Sequence, residues 1–551
     1  MVEFGGKRDG MAGMERFDFV IVGAGSAGSV LADRLSESGR FRVLVLEAGG
    51  RDRSPWVHLP VGYGKLFYHP KLNWAHMSEP QPNLAGRRDY WPRGRVVGGS
   101  GSINAMVYCR GLPKDFEDWA AAGAQGWGWQ DVRAAYEQLE TQVAQDGTTS
   151  GSGKISVSDV GDQIHKVNRY FFDALGEMQM PVTSDINGPQ PEGGTVYRLN
   201  TRGGRRCSSA RAFLAPALKR RNLTLRTGVQ VNRVVFEGRR ATGVEVVMGG
   251  KTQTISAGEV ILSAGAVASP KILQLSGIGP ADHLRAHGIK VRVANENVGG
   301  NLQDHLGINY YFKATQPTLN NVLAPWYGKV LAGVRYGLTR RGPLALSVNQ
   351  CGGFFRSSSG VSVPDQQLYF NPVTYTTARV GTRNVINPDP FAGFIIGVQP
   401  TRPTSRGRID IKSADPADAP LIRPNSLDTE EDRAGAVAGG RLCGHIMRAP
   451  AMGALVRAPM GADIRHMDDA GILEDFRARC GTVFHPVATC RMGADARSAV
   501  CDSEMRVFGT EGLSVIDASA FPNLTSGNTN APTMMLAYRA ADFILQRMRA
   551  Q

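Results

Sequence analysis

Three stretches of this 551-residue chain hold residue types whose spacing could do chemistry. The first, Gly23-Ala24-Gly25-Ser26-Ala27-Gly28, reads G-x-G-x-x-G, with Glu47 nineteen positions past its last glycine. Gly23 permits a tight turn, Gly25 lets backbone approach a pyrophosphate, and Gly28 lets helix and strand pack closely. A helix opened by Ser26 and Ala27 turns free N–H groups and a positive dipole end toward phosphates. A carboxylate at Glu47, followed by Ala48, can bind a ribose hydroxyl pair. FAD and NAD fit this unit equally. The second stretch, Gly98-Gly99-Ser100-Gly101-Ser102, is small enough to lie against a flat or anionic ligand, and Asn104, Ala105 and Met106 follow it. The third is the end of the chain. An apolar run from Thr482 to Thr489, through Val483 and Phe484, breaks at His485, and a polar run from Thr525 to Thr533 contains Asn528, Thr529 and Asn530. By residue type alone His485 reads more readily as a core histidine before Pro486. Asn528 reads as a helix N-terminal residue, with Asn530 competing.

The elements that must position these residues are legible from periodicity. Phe19 to Val22 and Val43 to Leu46 are β-branched, apolar runs flanking a helical pattern, which is a parallel β-α-β unit. Residues 48–93 have no clear period, which is uncommon unless such a stretch covers a ligand. Residues 113–142 read as helical. Strands are expected at 223–227, 229–236, 244–247 and 260–263, then a helix that starts at Ser269-Pro270 and stops at Gly277. Gln367, Tyr369 and Asn371 alternate with Leu368, Phe370 and Pro372, as in a strand lining a pocket. Helices are expected at 429–448 and 468–479, a strand at 513–519, and a final helix through Met535, Ala541 and Leu545.

Composition narrows the class. Hydrophobic content of 42% and charged content of 20% are ordinary for a globular chain, and the length favours two domains. The net charge of +14 favours anions such as a phosphorylated cofactor or an anionic membrane surface. Nucleic-acid binding is not expected, because the basic residues are scattered and no such motif occurs. Seven dispersed cysteines without C-x-x-C read as free thiols, and no metal-ligand spacing is found. Residues 1–13 lack the apolar core of a signal peptide, so a cytoplasmic protein is expected, with attachment to the inner membrane face left open.

Taken in order, the fingerprint at Gly23, the run from Gly94 to Glu117, the run from Gly265 to Gly279, and His485 followed by Asn528 resemble the GMC (glucose–methanol–choline) oxidoreductases, and within them the bacterial alcohol and choline dehydrogenases. The resemblance implies an α/β fold with a discontinuous, Rossmann-like FAD-binding domain and a substrate-binding domain built on a mixed or antiparallel sheet with helices. Its expected division is 15–50, 200–310 and 505–551 with the flavin-contacting segment 91–111, against 51–199 and 311–504. It selects FAD over NAD.

The resemblance further implies oxidation of a primary alcohol to an aldehyde by hydride transfer to flavin N5, with oxygen or a quinone as electron acceptor. His485 matches the base, and its neutral imidazole can take a hydroxyl proton. Asn528 matches the second catalytic position, where an amide can hold the alkoxide oxygen. Gly98, Gly99, Ser100, Asn104 and Ala105 match the segment along the isoalloxazine and pyrophosphate, with Met106 next to it. Val231 matches the residue whose backbone reads adenine, Asp517 and Ala518 the segment meeting the ribityl chain and pyrophosphate, and Thr529 a flavin neighbour. Two departures stand out. Ile103 occupies the position where some relatives carry a histidine covalently bound to FAD, so noncovalent FAD is expected. Gln350 stands where choline-handling relatives tend to carry Glu. With Tyr369, Phe370, Asn371, Val483 and Phe484 it forms the expected substrate pocket, suited to an apolar or aromatic alcohol. The alternatives are a lyase of the same family acting on a cyanohydrin and a flavin-binding protein without turnover.

Overall fold

The computed structural model describes residues 16–380 and 383–550. Two sheets organise them. The first is built around β1 (Arg16–Val22), whose buried Val20, Ile21 and Val22 run into the glycine turn and then α1 (Ser26–Ser36). The next strand, β2 (Val43–Glu47), is buried along its whole length and pairs parallel with β1, Val22 opposite Leu46. The remaining strands are Leu223–Thr227 beyond β2 and, on the other side of β1, Lys251–Leu262, Arg240–Met248 and Gln230–Glu237, with Leu513–Val515 joining Lys251–Leu262. Strands at the centre are parallel, and 230–262 adds an antiparallel meander. The continuous apolar runs at 19–22 and 43–46 fit strands covered on both faces. α1 and the C-terminal helix Asn530–Ala550 pack together against this sheet.

The second sheet is antiparallel, in the order Cys351–Phe355, Gln366–Asn371, Gly393–Pro400, Leu306–Ala314 and Val456–Pro459, with Gly481–Thr482 pairing onto Leu306–Ala314. Its core contains Phe171, Tyr310, Phe312, Phe370, Phe394 and the inner face of the helix Glu430–Met447. Among the described residues no helix is long and apolar enough to cross a membrane. All seven cysteines are free and buried. The residues read for targeting, 1–13, lie outside the described residues.

Three sequence expectations are corrected. Residues 113–142 form two helices, Pro113–Ala121 and Trp129–Leu139, because Gly123 (φ +92°) takes the left-handed position that ends a helix. Phe116, Trp119, Tyr136, Ile155 and Val157 belong to the first core, so this part of 51–199 packs with the fingerprint sheet and not with the second sheet. The helix expected to start at Ser269 starts at Gly265 and carries Pro270 inside it. Pro270 has no N–H for the carbonyl of Ala266, four residues earlier, and Thr489 Oγ1 donates to that carbonyl at 2.7 Å instead. Gly277, at φ +85°, ends the helix as expected.

Candidate active site and cofactor cradle

The fingerprint turn is a place where only glycine fits. A Cβ on Gly28 would lie 1.9 Å from the Gly23 carbonyl oxygen, and one on Gly99 would lie 2.8 Å from Gly25 Cα. The turn before α1 therefore meets the backbone of Gly99 directly, leaving the first N–H groups of the helix beside a bare glycine surface. Glu47 closes this cradle. Its carboxylate accepts from Ala24 N at 3.0 Å and Gly49 N at 2.8 Å, and burial pushes its pKa up to about 7. Val229 N donates to the Glu47 carbonyl, carrying the strand that holds Val231 to the same end of the sheet. These donors, the bare backbone and the buried Glu47 carboxylate fit a dinucleotide with a pyrophosphate.

Arg206 holds the second stretch in place. Buried, it donates to the Asn104 side-chain oxygen at 2.5 Å, the Asn104 carbonyl at 2.7 Å, Gly101 O at 3.2 Å and Val57 O at 2.8 Å. Ala105 follows this anchor, and Met106 adopts φ +64° with its carbonyl accepting from Asn200 N. Ile103 lies in an apolar cluster with Val57, Leu66 and Val96. Asp517 is saturated by protein donors, from Gly265 N, Ser269 Oγ, Ser519 N and Ser519 Oγ. Its carboxylate thus fixes the start of Gly265–Leu275 and leaves the backbone of Ala518 beside the cradle. Ser26 Oγ donates to Asn530 Oδ1 at 2.7 Å, tying α1 to the C-terminal helix just after Thr529.

His485 and Asn528, 43 residues apart, meet with Asn528 Nδ2 at 3.2 Å from His485 Nε2. Asn530, engaged with Ser26, does not compete for this position. Gly527 makes the approach possible: it has φ +80°, and a Cβ there would lie 2.6 Å from Cys109 Sγ and 2.8 Å from Phe354 Cζ. The backbone at His485 is built as a strained turn. Phe484 adopts φ +72°, rare for a bulky residue. The turn is held by Asp304, which accepts from His485 N at 2.7 Å, and by Arg93, which donates to Phe484 O at 2.7 Å.

A second histidine, not singled out from sequence, completes the arrangement. Leu306 pairs with Thr482, and Gln303 exchanges backbone hydrogen bonds with Val487, so His305 is delivered opposite His485. Their Nδ1 atoms are 3.0 Å apart, and His305 Nε2 lies 2.9 Å from the Thr401 carbonyl. A carbonyl only accepts, so His305 carries its proton on Nε2. Burial pushes the His305 pKa down to about 4, which leaves its Nδ1 a bare acceptor. His485 must then donate from Nδ1 and keep its lone pair on Nε2, the atom that faces Asn528. Burial, His305 and the Arg93 guanidinium all hold the His485 pKa well below the ordinary imidazole value.

The expected pocket residues divide. The Tyr369 side chain approaches Asn528, and its ring meets Tyr197 at 5.5 Å. Asn371 shares that strand face and has a buried, unpartnered Oδ1. Phe484 packs on Phe67 at 5.4 Å beside half-buried Val483. Phe370 is corrected: alternation along the strand sends it the other way, into the second core against Phe171 and Phe394. Gln350 turns its Oε1 to His165 N and Asn168 Nδ2, leaving Nε2 buried without a partner. His305, Arg93 and Arg206 were missed because their roles come from tertiary contacts. Their only traces in the sequence are the adjacent Asp304 and His305 and the short basic run at 202–206.

A dinucleotide cradle on a parallel sheet, together with a neutral imidazole beside an amide, fits a dinucleotide-dependent oxidoreductase. Sequence profiles of the GMC oxidoreductases match residues 17–307 (N-terminal part) and 403–537 (C-terminal part). The chain belongs to this family and acts on CH–OH donors with FAD as cofactor. It is 40% identical to an alcohol dehydrogenase [acceptor] of Pseudomonas putida over 97% of this chain and 96% of that protein. It is 39% identical to an oxygen-dependent choline dehydrogenase of Vibrio vulnificus (strain YJ016), over 97% and 95%. Among solved structures, pyridoxine 4-oxidase from Mesorbium loti superposes with a TM-score of 0.84 at 30% identity, covering 97% of this chain and 99% of that one.

Proposed function

We propose that the protein oxidises an uncharged primary alcohol, apolar or aromatic, to the aldehyde, with His485 Nε2 as the base. The observation that carries this reading is the Thr401–His305–His485 chain of hydrogen bonds, which leaves the lone pair of His485 on the atom facing Asn528. Noncovalent FAD supplies the two-electron acceptor beside the substrate carbon when bound. It would be held by Gly23–Gly28, Glu47, Gly98–Ala105, Ala518 and Thr529. The substrate hydroxyl proton passes to His485 Nε2. Asn528 Nδ2 donates to the alkoxide oxygen that remains. Tyr369 and Phe484 give the carbon chain an apolar, aromatic wall, and Asn371 offers it one acceptor. Gln350 brings no negative charge for a quaternary ammonium, which favours an uncharged substrate over choline.

The test is a panel of primary alcohols, scored with oxygen and with an artificial acceptor. Aliphatic or aromatic primary alcohols should bleach the flavin anaerobically and yield aldehyde. Bound oxidised flavin that no alcohol bleaches would overturn the proposal.

A further inference from the structure

The helix Trp326–Thr339 carries six of the nine exposed large apolar side chains among the described residues. Trp326, Val330, Val334 and Leu338 follow one another at four-residue spacing, with Tyr327 and Leu331 alongside, so they form one continuous stripe. Trp326 is 76% exposed, Leu331 65% and Leu338 82%. Gly328 and Ala332 are the helix's buried residues and turn inward, and a Cβ on Gly328 would lie 2.2 Å from Val322 O. The helix thus lies flat on the body with its bulky side outward, the reverse of what a core-packing helix does.

Next to it is a cavity of about 490 Å³ lined by Arg53, His58, Arg202, Arg205, Arg211 and Arg340, with Tyr336 of the helix reaching over to donate to Gly204 O at 3.0 Å. Among the described residues none of these five arginines forms an ion pair with a carboxylate. Asp52 is engaged by His58, and Asp162 by Arg341. Trp56, 42% exposed, stands between cavity residues Pro55 and His58.

We infer that this face docks on a membrane surface rich in anionic phospholipid: the apolar stripe enters the headgroup–acyl boundary, and the arginine cavity receives phosphate headgroups. A flat helix with bulky apolar side chains on one side and cations at its flank is the pattern of an interfacial anchor, and juxtamembrane arginines are drawn to anionic leaflets. A second copy of this chain fits the face poorly. A two-fold interface would set the same unpaired arginines against one another.

The test uses the FAD-loaded enzyme with large unilamellar vesicles, either pure phosphatidylcholine or containing phosphatidylglycerol. Sedimentation with the anionic vesicles should be strong at low salt and weak with neutral ones, with Trp326 emission shifted to the blue. The double variant Leu331→Glu/Leu338→Glu should lose binding while keeping flavin content and turnover of a water-soluble alcohol. Neutralising Arg53, Arg205, Arg211 and Arg340 together should lower partition by about 10²- to 10³-fold. Equal binding to both vesicle types, or undiminished binding by the double variant, overturns the inference. So does a dimer in solution that the double variant dissolves, with no vesicle binding by the parent enzyme.

Discussion

Replacing His305 with Ala isolates the orienting half of the proposed base. His305 is fully buried and touches no expected cofactor contact, yet it is the acceptor for His485 Nδ1–H. Its loss leaves that donor buried without a partner, a cost of about 1–3 kcal/mol. The cheapest relief is the other tautomer, with the proton on Nε2, where it blocks the base. If that full cost appears in the barrier, anaerobic flavin reduction slows by about 5- to 150-fold. A second readout separates orientation from packing. His305 helps hold the His485 pKa down, so removing it raises that pKa. The acid limb of the reduction rate, which in the parent enzyme lies below the ordinary imidazole value of 6.5 because only neutral His485 accepts a proton, should move to higher pH. His305→Asn keeps an acceptor oxygen near the lost Nδ1 and should recover part of the rate. Stopped-flow reduction of flavin-replete variants across pH measures all of this. His305→Ala reduced at the parent rate with an unmoved acid limb would refute the tautomer reasoning.

Three further outcomes are expected. Acid precipitation should release yellow FAD into the supernatant, because Ile103 sits among aliphatic side chains and offers no atom for a flavin bond; flavin retained in the pellet would contradict it. Choline should be turned over far less efficiently than an uncharged primary alcohol, because Gln350 is neutral and its oxygen is already bonded to His165 N and Asn168; comparable kcat/KM values would remove Gln350 from substrate selection. Gly527→Ala should abolish most alcohol turnover, since both its φ of +80° and contacts at 2.6 and 2.8 Å force Asn528 away from His485. The strained backbone costs on the order of 1–3 kcal/mol, so a lowered unfolding temperature should accompany it, and normal turnover would show that Asn528 is not needed where it lies.

What the sequence reveals and conceals follows from range. The fingerprint was legible because turn, strand, helix and acid fall within residues 19–47 and each has a local reason to be where it is. The alternation at 366–371 was also visible, but alternation says only that there are two faces. Which face meets the site depends on the helix Glu430–Met447 packing on the sheet, and that sent Phe370 to the core. Pro270 reads as a helix start because the substitute donor, Thr489, lies 219 positions away. His305 and His485 are 180 apart and were joined only by the pairing of Leu306 with Thr482. Residues 113–157 lie between segments of the second domain in the chain, yet Trp119, Trp127 and Tyr136 bury themselves on the first core.

The central claim is that His485 is the proton acceptor. His485→Ala, shown first to hold a full complement of FAD, should be reduced by its best alcohol about 10²- to 10⁴-fold more slowly than the parent in anaerobic stopped flow. Asn528→Ala should lose less, since the base remains. The acid limb of the parent profile should be absent in His485→Ala. A flavin-replete His485→Ala enzyme reduced at the parent rate, with the same pH dependence, would contradict the account.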